Sequence, residues 1–145
     1  MSAKDFEQPV IQFQAITNQS GAVLFYPIVE VSLIPSQGQP MRLPLLFDTG
    51  ADYTTLMKDF YPLLGLQSWN QGKAVGANTA GGHVTAYEYT ATLNVLGKNI
   101  TCPIHLMDVT FPPLFVGLLG RNTVFDQFGF GFWESTRELY VTNNP

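Results

Sequence analysis

The stretch Leu45-Leu46-Phe47-Asp48-Thr49-Gly50-Ala51-Asp52 runs from an apolar segment directly into an acidic turn that contains a hydroxyl and a glycine. The apolar residues predict a strand that anchors the backbone, so the Asp48 carboxylate at its end can face a cleft. Gly50 permits a positive φ and leaves room for another chain to lie against the backbone. The pattern predicts a catalytic carboxylate. The simpler alternative is an aspartate that closes its own turn by bonding to the backbone.

The chain holds one such turn, whereas the chemistry of paired carboxylates needs two. Two carboxylates that share one proton activate a water molecule, one as general base and the other as general acid. No second Asp-Thr-Gly or Asp-Ser-Gly is present, and Asp59, Asp108 and Asp126 lack the following hydroxyl and glycine. If Asp48 is catalytic, its partner is Asp48 of a second copy, related by a two-fold axis through the site. The sequence therefore predicts a homodimer.

Two further segments accompany the acidic turn. Residues 74–84 read Ala-Val-Gly-Ala-Asn-Thr-Ala-Gly-Gly-His-Val, and residues 118–122 read Leu-Leu-Gly-Arg-Asn. In this order and spacing, the three elements resemble the catalytic loop, the glycine-rich flap and the second signature of the retropepsin-like family of dimeric aspartic proteases. The resemblance covers roughly residues 28–140.

The resemblance implies roles for the acidic turn. Asp48 would share acid and base duty with its counterpart, and the Thr49 hydroxyl would bond across the two-fold axis and lock the paired loops. Gly50 would leave room for the substrate chain. Asp52 and Arg121 would form a bidentate ion pair near the subunit contact, for which the guanidinium fork is suited. Two solvated charges that never meet are the alternative to this pair.

The resemblance also implies a substrate cleft between the turn and the flap. An extended peptide there would gain main-chain hydrogen bonds, as in strand addition. The implied substrate contacts are Ala51, Asp52, Gly76, Ala77, Asn78 and Thr79. The flap tip is less apolar and less glycine-rich than that of typical viral relatives, and a loop without function would have the same composition. The tail after residue 128 looks more like that of cellular and bacterial relatives, with a terminal hairpin.

Bulk properties restrict the class of protein. With 145 residues the chain is expected to be one domain at 9–145, preceded by a flexible tail at 1–8. Seven Lys plus Arg and a net charge of −4 argue against nucleic-acid binding. No signal peptide and no apolar run near the ~20 residues of a membrane span is visible, so a cytoplasmic location without membrane association is expected. Two histidines and one cysteine without ligand spacing predict no metal and no other cofactor.

Strand signals dominate the chain. They cover Val10–Ile16, Phe25–Ile34, Met41–Phe47 and an alternating run from Thr85 that turns at Gly97-Lys98 into a partner strand. On that partner, Cys102 is predicted to face inward as a buried structural thiol, with a reactive thiol as the alternative, and His105 to lie on the outer face. Helix is expected only within 54–64 and 122–127, with Asn122 or its neighbour as the cap of the second.

These patterns predict an all-β fold: a small closed or partly closed barrel of the retropepsin type with a flap hairpin and one short C-terminal helix. The predicted function is a homodimeric aspartic endopeptidase that cleaves extended peptides or proteins with a water held between two copies of Asp48. A catalytically silent peptide-binding or scaffold domain with the same fold is the alternative.

Overall fold

The computed structural model describes residues 10–143, and the predicted tail at 1–8 lies outside the described residues. No helix within this range is long and apolar enough to span a membrane. Residues 10–143 contain two 3₁₀ helices, Lys58–Leu64 and Phe125–Gln127. The strands are β1 (Val10–Gln12), β2 (Gln14–Thr17), β3 (Val23–Tyr26), β4 (Ile28–Ile34), β5 (Met41–Phe47), β6 (Thr54–Met57), β7 (Lys73–Thr79), β8 (Gly82–Val95), β9 (Lys98–Met107), β10 (Gly117–Leu119), β11 (Phe128–Trp133) and β12 (Glu138–Asn143).

Six strands form a ring. Their order is β4-β5-β10-β6-β9-β8, and an antiparallel pairing of β4 with β8, from Val31↔Val95 to Ile34↔Thr92, returns to the first strand. Strand β7 pairs only with β8 in this sheet and projects from the ring as a hairpin. A separate sheet of order β1-β12-β11 and a β2-β3 hairpin complete the fold. The predicted all-β, partly closed barrel is confirmed.

The core follows from alternation along the strands. Along β4 from Val29 and along β5 from Leu43, buried residues alternate with more exposed ones, which is the period of two that a half-buried strand requires. In β4 and β5 the buried apolar residues are Ile28, Val29, Val31, Leu33, Leu43, Leu45 and Phe47. Each large apolar side chain removed from water contributes about 1.5–3 kcal/mol. These buried side chains hold β5 in the core up to Phe47, the residue before Asp48.

The longest strands are joined by a two-residue turn. Leu96 and Gly97 have φ of 50° and 88°, the left-handed values of a type I′ hairpin turn, and Val95 pairs with Lys98. The turn lies one residue before the predicted Gly97-Lys98. Cys102 is 1% exposed among aliphatic residues, as predicted. His105 lies on the opposite face, as predicted, but it is also buried.

Both observed helices lie within the predicted ranges but are shorter than those ranges. Thr54–Met57 is a strand, because its residues pair with β10 on one side and β9 on the other, and helix begins only at Lys58. Near residue 122 the helix is the single turn Phe125–Gln127 without a side-chain cap. Thr123 has a φ of 67°, which a right-handed helix cannot contain, and its hydroxyl donates to Asn122 Oδ1 at 2.8 Å.

We predict that Cys102 resists alkylation in the folded protein. Burial disfavours the thiolate and raises the pKa of the thiol from 9.0 to about 11. Iodoacetamide at pH 9 should therefore label the native protein far more slowly than the guanidinium-unfolded chain. Because the unfolded thiol ionises first, this group should lower the free energy of unfolding as pH rises from about 9 to about 11. Equal labelling rates in the two states at pH 9 would contradict the buried position.

Candidate active site

The acidic turn bridges two strands that are not neighbours. Strands β5 and β6 are consecutive in the chain, but β10 lies between them, parallel to β5 and antiparallel to β6. The connection 48–53 therefore crosses the end of β10. Three backbone bonds hold it there: Asp48 N–H donates to Leu119 O at 3.2 Å, Arg121 N–H to Ala51 O at 2.9 Å and Asn122 N–H to Asp52 O at 2.7 Å.

The crossing point has no room for a side chain on Gly120. A Cβ there would lie 2.2 Å from the Tyr53 carbonyl carbon and 2.7 Å from the Thr54 nitrogen. The buried Thr54 hydroxyl accepts the Gly120 N–H at 3.1 Å, so the backbone is bonded as well as packed. The Leu-Leu-Gly-Arg-Asn segment is thus the clamp that positions the acidic turn.

The Asp48 side chain is both a turn former and a cleft residue. Its Oδ1 accepts the Gly50 N–H at 2.9 Å, the bond that the simpler interpretation predicted. The residue is half-buried and lines a cleft. The two interpretations therefore do not compete, because the turn bond orients one carboxylate oxygen at the cleft.

Thr49 and Gly50 lie beside this carboxylate with different surroundings. Thr49 is exposed, and within residues 10–143 its hydroxyl has no hydrogen-bond partner. Gly50 lines the cleft, and a Cβ there would meet only Asp48 Oδ1, at 3.3 Å. The predicted bond from Thr49 across a two-fold axis stays a prediction.

Phe47 supports the acidic turn from below. Its ring stacks on Phe125 with centroids 4.8 Å apart and planes 7° apart. It also contacts Phe130 at 4.4 Å and Phe132 at 5.2 Å between centroids. Offset and edge contacts between aromatic rings add about 0.5–1.5 kcal/mol each beyond their buried area. The residue that precedes Asp48 is therefore held by the second 3₁₀ helix and by the C-terminal hairpin.

A cleft of about 630 Å³ lies between the acidic turn and the projecting hairpin β7-β8. All the predicted substrate contacts line it, so the structure brings the turn and the flap together as predicted. Its lining residues are Asp48, Gly50, Ala51, Asp52, Tyr53, Thr55, Gly76, Ala77, Asn78, Thr79, Ala80, Gly81, His105, Met107, Val109, Thr110, Phe111 and Leu118.

The hairpin has a fixed base and an open tip. At the base, the Tyr89 hydroxyl donates to Trp69 O at 2.6 Å and accepts the Gly72 N–H at 2.8 Å. At the tip, the Thr79 hydroxyl donates to Gly82 O at 2.9 Å and accepts the Gly81 N–H at 3.2 Å. These tip residues are exposed. The hairpin is anchored to the barrel at one end only, which is the arrangement that a covering flap requires.

The predicted ion pair is absent from the single chain. Within residues 10–143, the side chains of Asp52 and Arg121 do not approach to 4.0 Å. Lys58 Nζ lies 3.3 Å from Asp108 Oδ2, and His105 Nε2 lies 3.0 Å from Glu88 Oε1, a contact that is an ion pair only when the histidine is protonated. Both Asp52 and Arg121 are exposed. The two segments are joined through their backbones instead, so the side chains are not needed to hold the turn.

The sequence interpretation missed one wall of the cleft. The cleft lining that it did not include consists chiefly of Tyr53, Thr55, Leu118, His105, Met107 and residues 109–111. Strand β6 pairs in parallel with β9, and Thr55 is opposite His105 although 50 residues separate them. No tight turn connects β6 to β9, so the contact between Thr55 and His105 could not be predicted from local sequence. The contact between Glu88 and His105 could have been predicted, because the turn between β8 and β9 sets the pairing of the two strands and that pairing places these residues opposite each other.

His105 is the centre of this wall. It is 6% exposed, its Nε2 lies 3.0 Å from Glu88 Oε1, and its ring stacks on Tyr53 with centroids 4.3 Å apart and planes 21° apart. Tyr53 belongs to the connection that carries Asp48, and Glu88 pairs with Lys73 at the base of the flap hairpin. The histidine therefore links the acidic turn to the flap base.

Many solved structures resemble this fold, among them two proteases. The first is a retropepsin-like aspartic protease from Rickettsia conorii, with a TM-score of 0.60, 21% identity, and coverage of 91% of this chain and 96% of that chain. The second is the EIAV protease complexed with the inhibitor HBY-793, with a TM-score of 0.50, 24% identity, and coverage of 73% of this chain and 88% of that chain. Neither a protein-family model nor a curated protein matches the sequence.

We predict that Gly120→Ala destabilises the fold at the crossing. The added methyl group collides with backbone atoms, which cannot rotate away as a side chain can, so the free energy of unfolding should fall by about 2–3 kcal/mol or more. Gly81→Ala is the matched control, since its Cβ would meet only Thr79 Oγ1 at 3.7 Å. Chemical denaturation of both variants at one protein concentration measures the difference. Equal stabilities would show that the crossing is not tightly packed.

Proposed function

The chain has the fold of the retropepsin-like aspartic proteases, and from that premise we propose that it is a homodimeric aspartic endopeptidase. The observation that supports this most directly is the position of Asp48. Its carboxylate lies at a cleft beneath a hairpin, on a turn clamped by backbone hydrogen bonds. A catalytic group held by a rigid scaffold loses little freedom on reaching its reactive geometry.

The chemistry follows from two copies of Asp48 on a two-fold axis. Two carboxylates in contact hold one proton between them, because both cannot stay ionised side by side. The ionised group takes a proton from a bound water while the water oxygen bonds to the peptide carbonyl carbon. The protonated group gives its proton to the carbonyl oxygen. The C–N bond then breaks as the nitrogen receives a proton from one carboxyl group, while a hydroxyl of the tetrahedral intermediate returns a proton to the other carboxylate. This yields one acid and one amine and restores the singly protonated pair.

The exposed hydroxyl of Thr49 supports the two-fold arrangement. A threonine that anchors a turn within its own chain would normally bond to that turn, whereas this hydroxyl is free to bond to a second copy. The ion pair between Asp52 and Arg121 is likewise proposed only for the assembled pair of chains, where a neighbouring subunit would exclude water from these exposed side chains.

The substrate would be an extended peptide. The cleft has the flap strand on one side and the backbone of the acidic turn on the other. Extended chains bind such sites through their main-chain groups, and alternate side chains enter pockets on the two sides. We propose that Gly50 and Ala51 form the lower wall and that Gly76, Ala77 and Asn78 form the upper one.

We predict that mixing wild type with Asp48→Asn suppresses cleavage more than dilution alone explains. If every active unit needs two intact copies, roughly a ninefold excess of the variant in freely exchanging dimers leaves about a tenth of the wild-type chains paired with each other. The rate per wild-type chain on a peptide library should fall accordingly. Asp48→Asn alone should be inactive.

The matched control is Asp59→Asn, which removes an exposed carboxylate outside the cleft. It should cleave normally and should not poison the wild type. Sedimentation at each mixing ratio checks that heterodimers form. Full activity in a demonstrated monomer, or undiminished activity in verified heterodimers, would overturn the proposal. Peptide binding by the wild type without any turnover would favour the scaffold alternative.

A further inference from the structure

One ring nitrogen of His105 has no hydrogen-bond partner in the part of the chain that the structure describes. Its Nε2 faces Glu88 Oε1 at 3.0 Å, and an ionised carboxylate only accepts hydrogen bonds, so Nε2 carries the hydrogen. Within residues 10–143 no group forms a hydrogen bond with Nδ1. Every fully buried side-chain nitrogen and oxygen in that range has a hydrogen-bond partner. Nδ1 is therefore not fully buried, and His105 lines the cleft.

The surroundings of His105 favour a polar occupant. Tyr53 covers one face of the ring, and Thr55 lies opposite His105 in the sheet. Both residues carry hydroxyl groups and both line the cleft. The Thr55 hydroxyl donates to Tyr53 O at 3.2 Å, so it can offer a ligand only an acceptor. A site that contains hydrogen-bonding groups discriminates strongly against a ligand that leaves them unpaired, whereas an apolar pocket rejects a polar isostere only weakly.

The charge of the cleft restricts which substrate side chain can bind beside His105. Among the described residues that line it there is no lysine or arginine, whereas Asp48 and Asp52 both contribute carboxylates. Acidic side chains are therefore disfavoured. The neutral imidazole offers Nδ1 as an acceptor, and the protonated imidazole offers it as a donor. A side-chain amide carries both an N–H donor and a carbonyl acceptor, so it matches His105 in either state.

We propose that Tyr53, Thr55 and His105, with Glu88 behind the histidine, form a specificity pocket that selects an asparagine or glutamine side chain of the substrate. This inference rests on the proposed function, because it takes the cleft to be the peptide-binding site. Glu88 acts as a positioning residue, since it fixes the ring and its hydrogen. His105 Nδ1 makes the discriminating contact.

The experiment uses pairs of library peptides that differ only by a near-isosteric exchange at one position, Asn with Leu or Gln with Met. Cleavage is followed with the wild type, and binding without turnover is followed by enrichment on immobilised Asp48→Asn. At one position the amide member should be preferred by about tenfold in both measurements, which is the usual effect of one lost hydrogen bond in a buried site.

Two substitutions separate the two ring nitrogens. His105→Gln places an amide where Nε2 was, so it keeps the Glu88 contact and withdraws the group at Nδ1. His105→Asn places an amide near Nδ1 and gives up the Glu88 contact. The amide preference should fall to near onefold in the first and persist in the second. An effect of packing alone would weaken binding of both members of each pair equally.

The outcomes distinguish this inference from the proposed function. An amide preference in binding without cleavage by the wild type would support the pocket and overturn the catalytic proposal. Cleavage in which leucine or methionine peptides equal or exceed their amide partners at every position would overturn the pocket and leave catalysis standing. Because the preference is first measured with an unaltered His105, failure of either histidine variant to fold does not remove the test.

Discussion

The passage of residues 48–53 across the end of β10 is the constraint on which the cleft depends. A chain segment that crosses a strand end must approach it closely, and Gly120 allows this because it has no side chain to separate the two backbones. The backbone bonds from Asp48, Arg121 and Asn122 then replace the partners that the connection lacks. A carboxylate whose carrier is bonded on both sides is oriented before any substrate arrives, which is where preorganised sites gain most.

The fold could be predicted largely from local patterns, because strands and tight turns leave their period and their turn residues in the sequence. Met41–Phe47 and the β8-β9 hairpin were recognised in this way. Within 54–64, where a turn or two of helix was expected, the strand Thr54–Met57 was not recognised, since its four residues become a strand only through β9 and β10, which come from far along the chain. Local sequence cannot report such partners, and tertiary pairing overrides propensity there.

The same distinction between local and long-range contacts decides which residues of the candidate site could be predicted. Asp48, Gly50 and the flap are contiguous motifs, and the structure places them around one cleft. The wall with Tyr53 and His105 joins three distant segments, so composition gave no hint of it. His105 was assigned to the outer face of its strand, and the assignment of the face is right. It is nevertheless buried, because the outer face of the barrel is covered where the acidic turn folds over it.

Strand β8 belongs to two structures at once. Its first residues, from Gly82, pair with β7 in the flap, and its later residues, up to Val95, pair with β9 and β4 in the barrel. No loop separates the two parts, so side chains keep one alternation from tip to core. A length change in β8 between the tip and Glu88 by a single residue would turn every side chain of the flap arm to the other face. Lineages of this protein should therefore tolerate length variation at the tip turn, where Ala80 and Gly81 lie outside the ladder, and within the arm only as paired residues in both strands.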